Sequence, residues 1–481
     1  MPPGTFASWL IFFVAAAAPW FCGARSHLPN LLWIFGGLQM LALATLVIEK
    51  WIHKRALRTP GVLTKLCLVL SLPLAWWAVS AEPMFATSFA ESHWAFLQRE
   101  FPAAMLTWTR AERLWFVAGS LCALLAAAEL GRDQTFRRRL CLVIGVSGLV
   151  MSLGALAQRF LGVSSPSWLL IGGSTERYNF VFFHHSAAAA CFNLAWPLVA
   201  FHGLKQGAGL FRAVVWAVLG AVACVCFPLW KSESAWVIAI ALVLGALAWW
   251  SLMRFAHAEP KLIFCGVGGA LVAALALQLV WIERTRARYP DNWLGEAATR
   301  ESAPERDTHF AEMASRRGDR MVPSDTPPRP AAWIAGMRMA MAYPIIGYGP
   351  GAWSREAVVF SNEPTVSTFY QHRQFAHHDL LQTAAEWGIV PALLWVALWV
   401  GAFYRAIRRD PTDLREMGLV LALIALALHS MLHFPLQLPL FQLWAALLLG
   451  LAWSRRPRRE REDENDEEKN RSTRHRRVSL A

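Results

Sequence analysis

Charged residues are scarce in this chain of 481 residues. Asp, Glu, Lys and Arg make up 16% of the sequence, against about 25% in an ordinary soluble domain. Glycine and proline number 31 and 26, too few for a collagen-like or low-complexity chain. The eight cysteines include no CxxC pair and lie in or beside apolar stretches, so neither a disulfide framework nor a structural zinc site is indicated. These shortages argue against a soluble enzyme, a disordered chain and a fibrous protein.

Apolar residues are abundant instead, at 56%, and tryptophan is frequent, at 25 residues. Tryptophan is typical of the boundary between water and lipid. The apolar residues form about twelve runs near the ~20 residues that a helix needs to cross a bilayer. The sequence lacks the alternating pattern of a β-barrel, and backbone inside lipid must be paired within the protein. The sequence therefore predicts an all-α, polytopic membrane protein with about 12 transmembrane helices. The predicted spans are 8–23, 31–52, 62–80, 113–130, 139–161, 184–203, 211–229, 234–252, 261–281, 379–404, 417–433 and 437–453.

Basic residues are distributed unequally between the two sets of loops that these spans define. Five short loops of one set carry 17 Lys and Arg residues, whereas the short loops of the other set carry Arg25, Arg177 and Lys231. Cytoplasmic loops are the ones enriched in Lys and Arg, so we expect both termini to be cytoplasmic. The net charge of +13 then has anionic membrane lipids as its partner, and no nucleic acid is expected.

Four regions follow from this layout. Residues 1–281 hold transmembrane helices 1–9, and residues 282–378 form a large outer loop. Residues 379–453 hold helices 10–12, and residues 454–481 form a charged cytoplasmic tail that is predicted to be disordered. Within the outer loop, the spacing of apolar residues at about 331–343 predicts a helix that lies on the membrane surface.

Two polar motifs lie near the end of the outer loop. In the first, Gly347, Gly349 and Gly351 follow Pro344, and three glycines in five residues require an unusual backbone or a close approach. The lysine of a P-loop does not follow, so taken alone the motif is typical of a turn. The second motif contains His377, at the outer start of predicted span ten. Imidazole is well suited to act as a base near neutral pH, but a histidine at a membrane interface is more often only an interfacial polar residue.

In combination, these segments resemble the O-antigen ligase family of bacterial inner-membrane proteins, which includes O-antigen ligases, O-antigen polymerases and protein O-oligosaccharyltransferases. The family pattern has an Arg, a Trp four residues on, a proline with a Gly-x-Gly-x-Gly run, and a His-led run that enters a transmembrane helix. The resemblance is clear over 327–440 and loose over 177–250. The residues that carry it are Arg329, Trp333, Pro344, Gly347, Gly349, Gly351, His377, His378, Leu381, Gln382, Glu386 and Gly388.

The resemblance implies a metal-independent glycosyltransferase without a cofactor. Its donor is a glycan on polyprenyl (undecaprenyl) diphosphate, and its acceptor is a hydroxyl of lipid A core, a growing polysaccharide or a protein, at the periplasmic face of the bacterial inner membrane. The resemblance implies His377 as the general base. It also implies Arg329 as the cation for the diphosphate, since a guanidinium binds phosphate in a bidentate manner. The further implied substrate contacts are Lys231, Arg338, Arg177, His378, Gly347, Gly349 and Glu386.

Glu386 lies nine residues after His377, which is about half a turn away around a straight helix. We therefore expect Glu386 to orient another group or to pair with a buried basic residue, rather than to contact His377.

Two positions depart from the family pattern. Glu233 stands where the family commonly has an Arg, and Lys231 is the nearest cation, although a lysine lacks the planar fork of arginine. His433 stands where an Asp is expected and forms an i, i+4 pair with His429. That spacing occurs in metal sites, but no carboxylate motif accompanies it, so no metal site is predicted.

Two other classes of function remain open on the sequence. A transporter or flippase of a lipid-linked or small anionic substrate would also have many spans with scattered charges, although transporters more often show matching repeats and none is found here. A non-catalytic membrane scaffold would tolerate the loss of Arg329 and His377. The large outer loop, with a helix that leads into a histidine, favours the enzyme.

Overall fold

The computed structural model confirms the all-α class, because the residues that it describes are 87% helical and include no strand. The predicted span 261–281 and the residues 455–481 of the tail lie outside the described residues. So do residues 282–327, 358–359 and 361–374 of the predicted outer loop. The structure describes residues 6–22, 31–79, 110–161, 182, 185–203, 218–220, 222–223, 225–226, 233–255, 328–357, 360, 375–409 and 413–454.

Ten of the predicted spans correspond to helices of the described residues. In chain order the helices are α1 Phe6–Cys22, α2 Leu31–Ile52, α3 Gly61–Val79, α4 Arg110–Leu130, α5 Gln134–Phe160, α6 His185–Leu198, α7 Glu233–Phe255, α8 Pro328–Ala342, α9 Trp353–Glu356, α10 Asp379–Trp387, α11 Ile389–Arg409, α12 Leu414–Leu432 and α13 Pro439–Trp453. Seven of these helices are long and apolar enough to cross a membrane (α2, α3, α4, α5, α7, α11 and α12), and α1, α6 and α13 are shorter apolar helices. The total of twelve spans and the cytoplasmic location of the termini stay predictions.

The prediction of one continuous span over 379–404 was wrong, because this stretch forms two helices, α10 and α11, that are separated by Gly388. Gly388 has a φ of 96°, which an L side chain rarely adopts. A Cβ at this position would lie 2.2 Å from the carbonyl oxygen of Ile345. The Ile389 amide donates to the Pro344 carbonyl at 2.7 Å. The glycine-rich segment therefore lies against the chain where a continuous helix was expected, and only α11 is long enough to span.

Helix α13 lies at the centre of the bundle, and its side chains are buried all round. Helices α2 and α4 pack through two glycines, since a Cβ on Gly119 would lie 2.8 Å from the Gly36 carbonyl oxygen. Helix α13 approaches α4 in the same way, since a Cβ on Gly450 would lie 2.4 Å from the Leu124 carbonyl oxygen. Small residues that allow close backbone approach are the usual means of packing helices in lipid.

Several basic residues of the predicted cytoplasmic end form buried ion pairs. Arg137 contacts Glu416 at 2.6 Å and Arg409 contacts the same carboxylate at 2.9 Å, each with a side chain no more than 5% exposed. Lys50 contacts Glu129 at 2.8 Å. The pair of Lys50 with Glu129 joins α2 to α4. The pairs of Arg137 and Arg409 with Glu416 join α5 and α11 to α12. A buried charge must be paired, so this part of the positive charge holds the helices together rather than facing lipid.

Helix α8 accounts for the helix predicted at about 331–343. Its Trp333 and Ile334 are buried and pack with Leu381 of α10. A Cβ on Gly336 would lie 2.9 Å from Leu381 Cγ, so the absence of a side chain there brings α8 close to α10. The location of α8 on the membrane surface stays a prediction.

Candidate active site

His377 precedes α10 in a conformation that is unusual for its residue type. Its φ is 53°, in the left-handed region that few non-glycine residues adopt. The Trp333 indole N–H donates to the His377 carbonyl at 3.3 Å. The imidazole ring lies with its centroid 5.0 Å from that of Phe434 and 6.4 Å from that of His433. Contacts from α8 and from the segment after α12 thus fix both the backbone and the ring of His377.

His378 is the N-cap of α10, and its Nδ1 accepts a hydrogen bond from the Leu381 amide at 3.3 Å. Its ring is edge-on to Trp333, with centroids 5.9 Å apart. Burial lowers the pKa of His378 from 6.5 to about 4, so the ring is neutral near pH 7 and accepts through Nδ1. The structure gives His378 a capping role in helix α10, and a direct substrate contact of this residue stays a prediction.

Asp379 connects the start of α10 to the segment that follows α12, and sequence reasoning missed it. Its side chain is buried, at 1% exposure, and one carboxylate oxygen accepts from the Leu436 amide at 2.8 Å. The side chains of Ser430 and Gln437 lie near the same carboxyl group. Burial raises the pKa of Asp379 to about 8. An acidic residue in the first turn of a helix was the available sequence signal, but its partners lie more than fifty residues away.

The glycine-rich segment 344–353 is held against residues 385–389 by hydrogen bonds. Gly347, Gly349 and Gly351 all have positive φ, at 65°, 96° and 80°. A Cβ on Gly347 would lie 2.4 Å from the backbone of Glu386. This is the unusual backbone and close approach that the sequence predicted.

The amides of this segment donate to other groups of the protein. The Gly347 amide donates to the Tyr343 carbonyl and the Gly349 amide to the Glu386 carbonyl, at 3.0 and 2.8 Å. We therefore propose that Gly347 and Gly349 shape the segment, rather than bind a phosphate through their N–H groups.

Glu386 is buried at 2% exposure and orients several groups. Its carboxylate accepts from the amides of Gly351 and Trp353, at 3.1 and 3.2 Å, and from the Gln382 side chain at 3.2 Å. Arg113 of α4 lies 3.6 Å from the same carboxylate. The arrangement agrees with the expectation that Glu386 orients another group and pairs with a basic residue. Arg113 itself was missed, because nothing in the sequence relates the start of α4 to α10.

The predicted cations are described to different extents. Arg177 and Lys231 lie outside the described residues. The backbone of Arg329 lies in the first turn of α8, one turn before Trp333. The Arg338 guanidinium donates to the Phe360 carbonyl at 3.0 Å, and burial lowers its pKa, although arginine stays protonated in proteins. The roles of these four residues stay proposals.

A chain of polar side chains continues from His377 into the bundle. His433 Nε2 lies 2.6 Å from Ser234 Oγ in the first turn of α7, and its ring centroid is 5.9 Å from that of His429. The Asn193 amide nitrogen lies 3.1 Å from His429 Nε2 and donates to the Ala235 carbonyl at 3.1 Å. In the described part of the chain, no group of three or more His, Cys, Asp and Glu residues forms a metal-binding cluster. The sequence indicated the pair of His429 and His433. It could not show that His433 contacts Ser234 of α7.

The apolar helices and this buried polar site at one end of the bundle define a polytopic helical membrane protein. Residues 218–396 match the model of the O-antigen ligase family, which confirms the resemblance over these residues. The match includes the glycine-rich segment, Arg329 and His377, and it indicates a glycosyltransferase-type enzyme of polysaccharide biosynthesis in a bacterial membrane. No curated protein matches the chain.

Proposed function

We propose that this protein transfers a glycan from a polyprenyl diphosphate to an acceptor hydroxyl at the outer face of the bacterial inner membrane. The acceptor is lipid A core, a growing polysaccharide or a protein side chain. The observation that carries the proposal is the geometry of His377. A strained histidine backbone, fixed by contacts from α8 and from the segment after α12, lies within the region that matches the O-antigen ligase family. Strained non-glycine residues concentrate at functional sites.

In the proposed reaction, His377 takes the proton of the acceptor hydroxyl as its oxygen bonds to the anomeric carbon of the donor sugar. The bond between that carbon and the diphosphate oxygen breaks, and its electron pair leaves with the diphosphate. The departing group is strongly anionic, and fixed cations in a site shielded from water stabilise it. Arg329 is the proposed principal cation, with Arg338, Lys231 and Arg177 as further contacts. No step of this scheme uses a metal.

Within this proposal, residues 282–378 form a periplasmic loop and both termini are cytoplasmic. Helix α8 then lies at the outer surface, where the position of Arg329 precedes that of Trp333 by one turn. Positions four residues apart lie on the same face of a helix, and the Trp333 indole contacts the His377 backbone. The position of the proposed cation is thereby one turn away from the residue that holds the backbone of the proposed base.

The proposal is tested by deletion of the gene in its native host and complementation with variants. His377→Ala and Arg329→Ala are compared with His53→Ala and Arg139→Ala, which change exposed residues at the opposite end of the bundle. We expect the two site variants to be made at normal levels, to leave a surface polysaccharide missing or shortened, and to accumulate lipid-linked glycan. The two control variants should restore the wild-type pattern. Full rescue by His377→Ala would show that His377 is not the base of the reaction, and it would favour a transporter or a scaffold.

A further inference from the structure

Phe434 packs between the proposed base and a second aromatic residue. Its ring stacks on that of Phe375, with centroids 4.1 Å apart and planes inclined by 17°, and it meets the His377 imidazole edge-on at 5.0 Å. The Phe434 side chain is buried. The last torsion angle of a histidine is broad and roughly two-fold, so the backbone alone does not fix how the imidazole is turned. Contact with the Phe434 ring therefore limits the orientations of the His377 ring.

The short turn that carries Phe434 is held on both sides. Before Phe434, His433 Nε2 lies 2.6 Å from Ser234 Oγ in the first turn of α7. After it, the Leu436 amide donates to the Asp379 carboxyl group at 2.8 Å. The location of Phe434 therefore depends on contacts of its neighbours with two other helices, α7 and α10.

Asp379 relates this turn directly to the proposed base. One residue separates His377 from Asp379, and one residue separates Phe434 from Leu436. The four residues form a closed set of contacts, with a ring contact between His377 and Phe434 on one side and a hydrogen bond between Asp379 and Leu436 on the other. The hydrogen bond of Asp379 therefore fixes Phe434 relative to the imidazole of His377.

The burial of Asp379 is unusual for an acidic residue in the first turn of a helix. An acidic residue there stabilises a helix even at an exposed position, and the N-cap of α10 is already His378. Asp379 is nonetheless 1% exposed, and burial of a carboxyl group costs free energy unless the group is hydrogen-bonded. Its hydrogen bond to the turn after α12 explains this burial better than stabilisation of α10 does.

We propose that Asp379 is a positioning residue for the proposed base, an inference that rests on the proposed function. Through its hydrogen bond with the Leu436 amide, Asp379 holds Phe434 against the His377 imidazole. The ring then faces the acceptor hydroxyl in one orientation. Asp379 touches neither the donor nor the acceptor in this role.

Two substitutions of Asp379 separate the hydrogen bond from the charge. Because burial raises the pKa of Asp379 to about 8, the group is a neutral acid at pH 6.5, and Asp379→Asn keeps its shape and its acceptor oxygen. Asp379→Ala removes the acceptor. At pH 6.5 we expect Asp379→Ala to lower kcat roughly tenfold with KM for the donor little changed, since a small misplacement of a reacting group slows the reaction. Asp379→Asn should stay within roughly twofold of the wild type, because it retains the positioning contact.

Amide hydrogen exchange measures the hydrogen bond without reference to activity. The full chain in lipid nanodiscs is digested after exchange, and the peptides that contain Leu436 are analysed by mass spectrometry. The loss of a hydrogen bond to a buried amide speeds its exchange, so we expect faster exchange of the Leu436 amide in Asp379→Ala and unchanged exchange in Asp379→Asn. Unchanged exchange in Asp379→Ala would overturn the proposal.

Two further variants separate positioning from a general loss of stability. Phe434→Leu keeps the hydrogen bond but removes the ring, so it should lower kcat as Asp379→Ala does, and the double variant should be no slower, because residues that act as one unit are not additive. Leu46→Ala removes a buried side chain of α2 and should lower the melting temperature without changing kcat.

The two proposals fail in different ways. If the wild type transfers glycan and Asp379→Ala has the wild-type kcat, or if its kcat falls no more than that of Leu46→Ala, the positioning role is wrong and the proposed reaction stands. If the wild type transfers no glycan, the proposed reaction is wrong and the positioning role falls with it.

Discussion

At the scale of single residues, His377 shows how the chain maintains an unfavourable conformation. A left-handed backbone at a non-glycine residue costs about 1–3 kcal/mol, and here three neighbours stabilise it. The Trp333 indole holds its carbonyl, Phe434 packs on its ring, and His378 caps the helix that follows. The geometry therefore depends on side chains from α8, α10 and the segment after α12.

His433 contacts both the proposed base and helix α7. Its ring lies between His377 and Ser234, so we expect the rate of transfer to depend on both histidines together. His433→Asn should lower kcat roughly tenfold in the wild-type background and have much less effect when His377 is already Ala, since residues that act as one unit are not additive. The coupling is measured from the kcat values of the wild type, His433→Asn, His377→Ala and the double variant. His53→Asn is the control. Equal losses in both backgrounds would show that His433 acts independently.

Asp379 predicts a pH dependence of stability. Its folded-state pKa of about 8 lies above the ordinary value near 3.8, so the folded protein binds more protons than the unfolded chain between these values. Stability from this group is therefore fully present below about pH 4 and decreases as pH rises to about 8. Melting temperature, measured against pH in detergent, should show this decrease in the wild type and a smaller one in Asp379→Asn. Identical profiles for the two proteins would contradict the assignment.

At the scale of elements, α8, the glycine-rich segment and α10 form one packed unit. Backbone hydrogen bonds join the segment to α10, and Glu386 adds two further bonds from its side chain. The Trp77 indole of α3 donates to the Ile346 carbonyl at 3.2 Å, and Arg113 of α4 contacts Glu386. The proposed base therefore lies directly before α10, in contact with groups from this packed unit.

The unit depends on a close backbone contact at Gly388. Gly388→Ala would place a Cβ 2.2 Å from the Ile345 carbonyl oxygen at a φ of 96°, so we expect loss of folded protein or a markedly lower melting temperature. Gly245→Ala is the matched control, because a Cβ there meets no atom within 4 Å and alanine favours a helix by roughly 1 kcal/mol. Fluorescence-detected size-exclusion chromatography and thermal melts compare the two. Equal stability would mean that the segment does not pack against α10 as described.

Sequence reasoning recovered the helices better than their contacts. Long apolar runs in lipid must be helices, so hydropathy alone predicted ten apolar stretches that correspond to helices of the described residues, seven of which are long enough to cross a membrane. The three closely spaced glycines predicted the unusual backbone of the glycine-rich segment. The interruption at Gly388 was not predictable, because hydropathy continues through it and its cause is a contact with Ile345. Arg113 and Asp379 were missed for the same reason, since their partners lie 273 and 57 residues away. Such pairs follow from packing, and no local pattern records them.

At the scale of the whole molecule, the two ends of the bundle differ in how they use charge. The end predicted to be cytoplasmic holds the buried pairs of Arg137 and Arg409 with Glu416. The opposite end holds the histidines, Asp379 and the pair of Arg113 with Glu386. Ion pairs thus occur at both ends, and only the end opposite the predicted cytoplasmic one also carries the proposed site.

The topology can be measured directly. The variant Ser324→Cys carries a cysteine in the proposed periplasmic loop. We expect this cysteine to react with a membrane-impermeant maleimide in intact cells. The variant Ser472→Cys carries a cysteine in the charged tail. This cysteine should react only after lysis, because the tail is proposed to be cytoplasmic. The wild type, with its cysteines in or beside apolar runs, sets the background. Labelling of Ser472→Cys in intact cells would reverse the proposed orientation.

The most direct test of the central claim is glycan transfer by the purified protein. The full chain in nanodiscs is given a polyprenyl diphosphate-linked glycan from the native host, and transfer to added acceptor glycan is followed by mass spectrometry. We predict transfer by the wild type without added metal, and a kcat lower by roughly 10²–10⁴-fold for His377→Ala, the range for loss of a general base. His53→Ala should match the wild type. Undiminished transfer by folded His377→Ala would contradict the account.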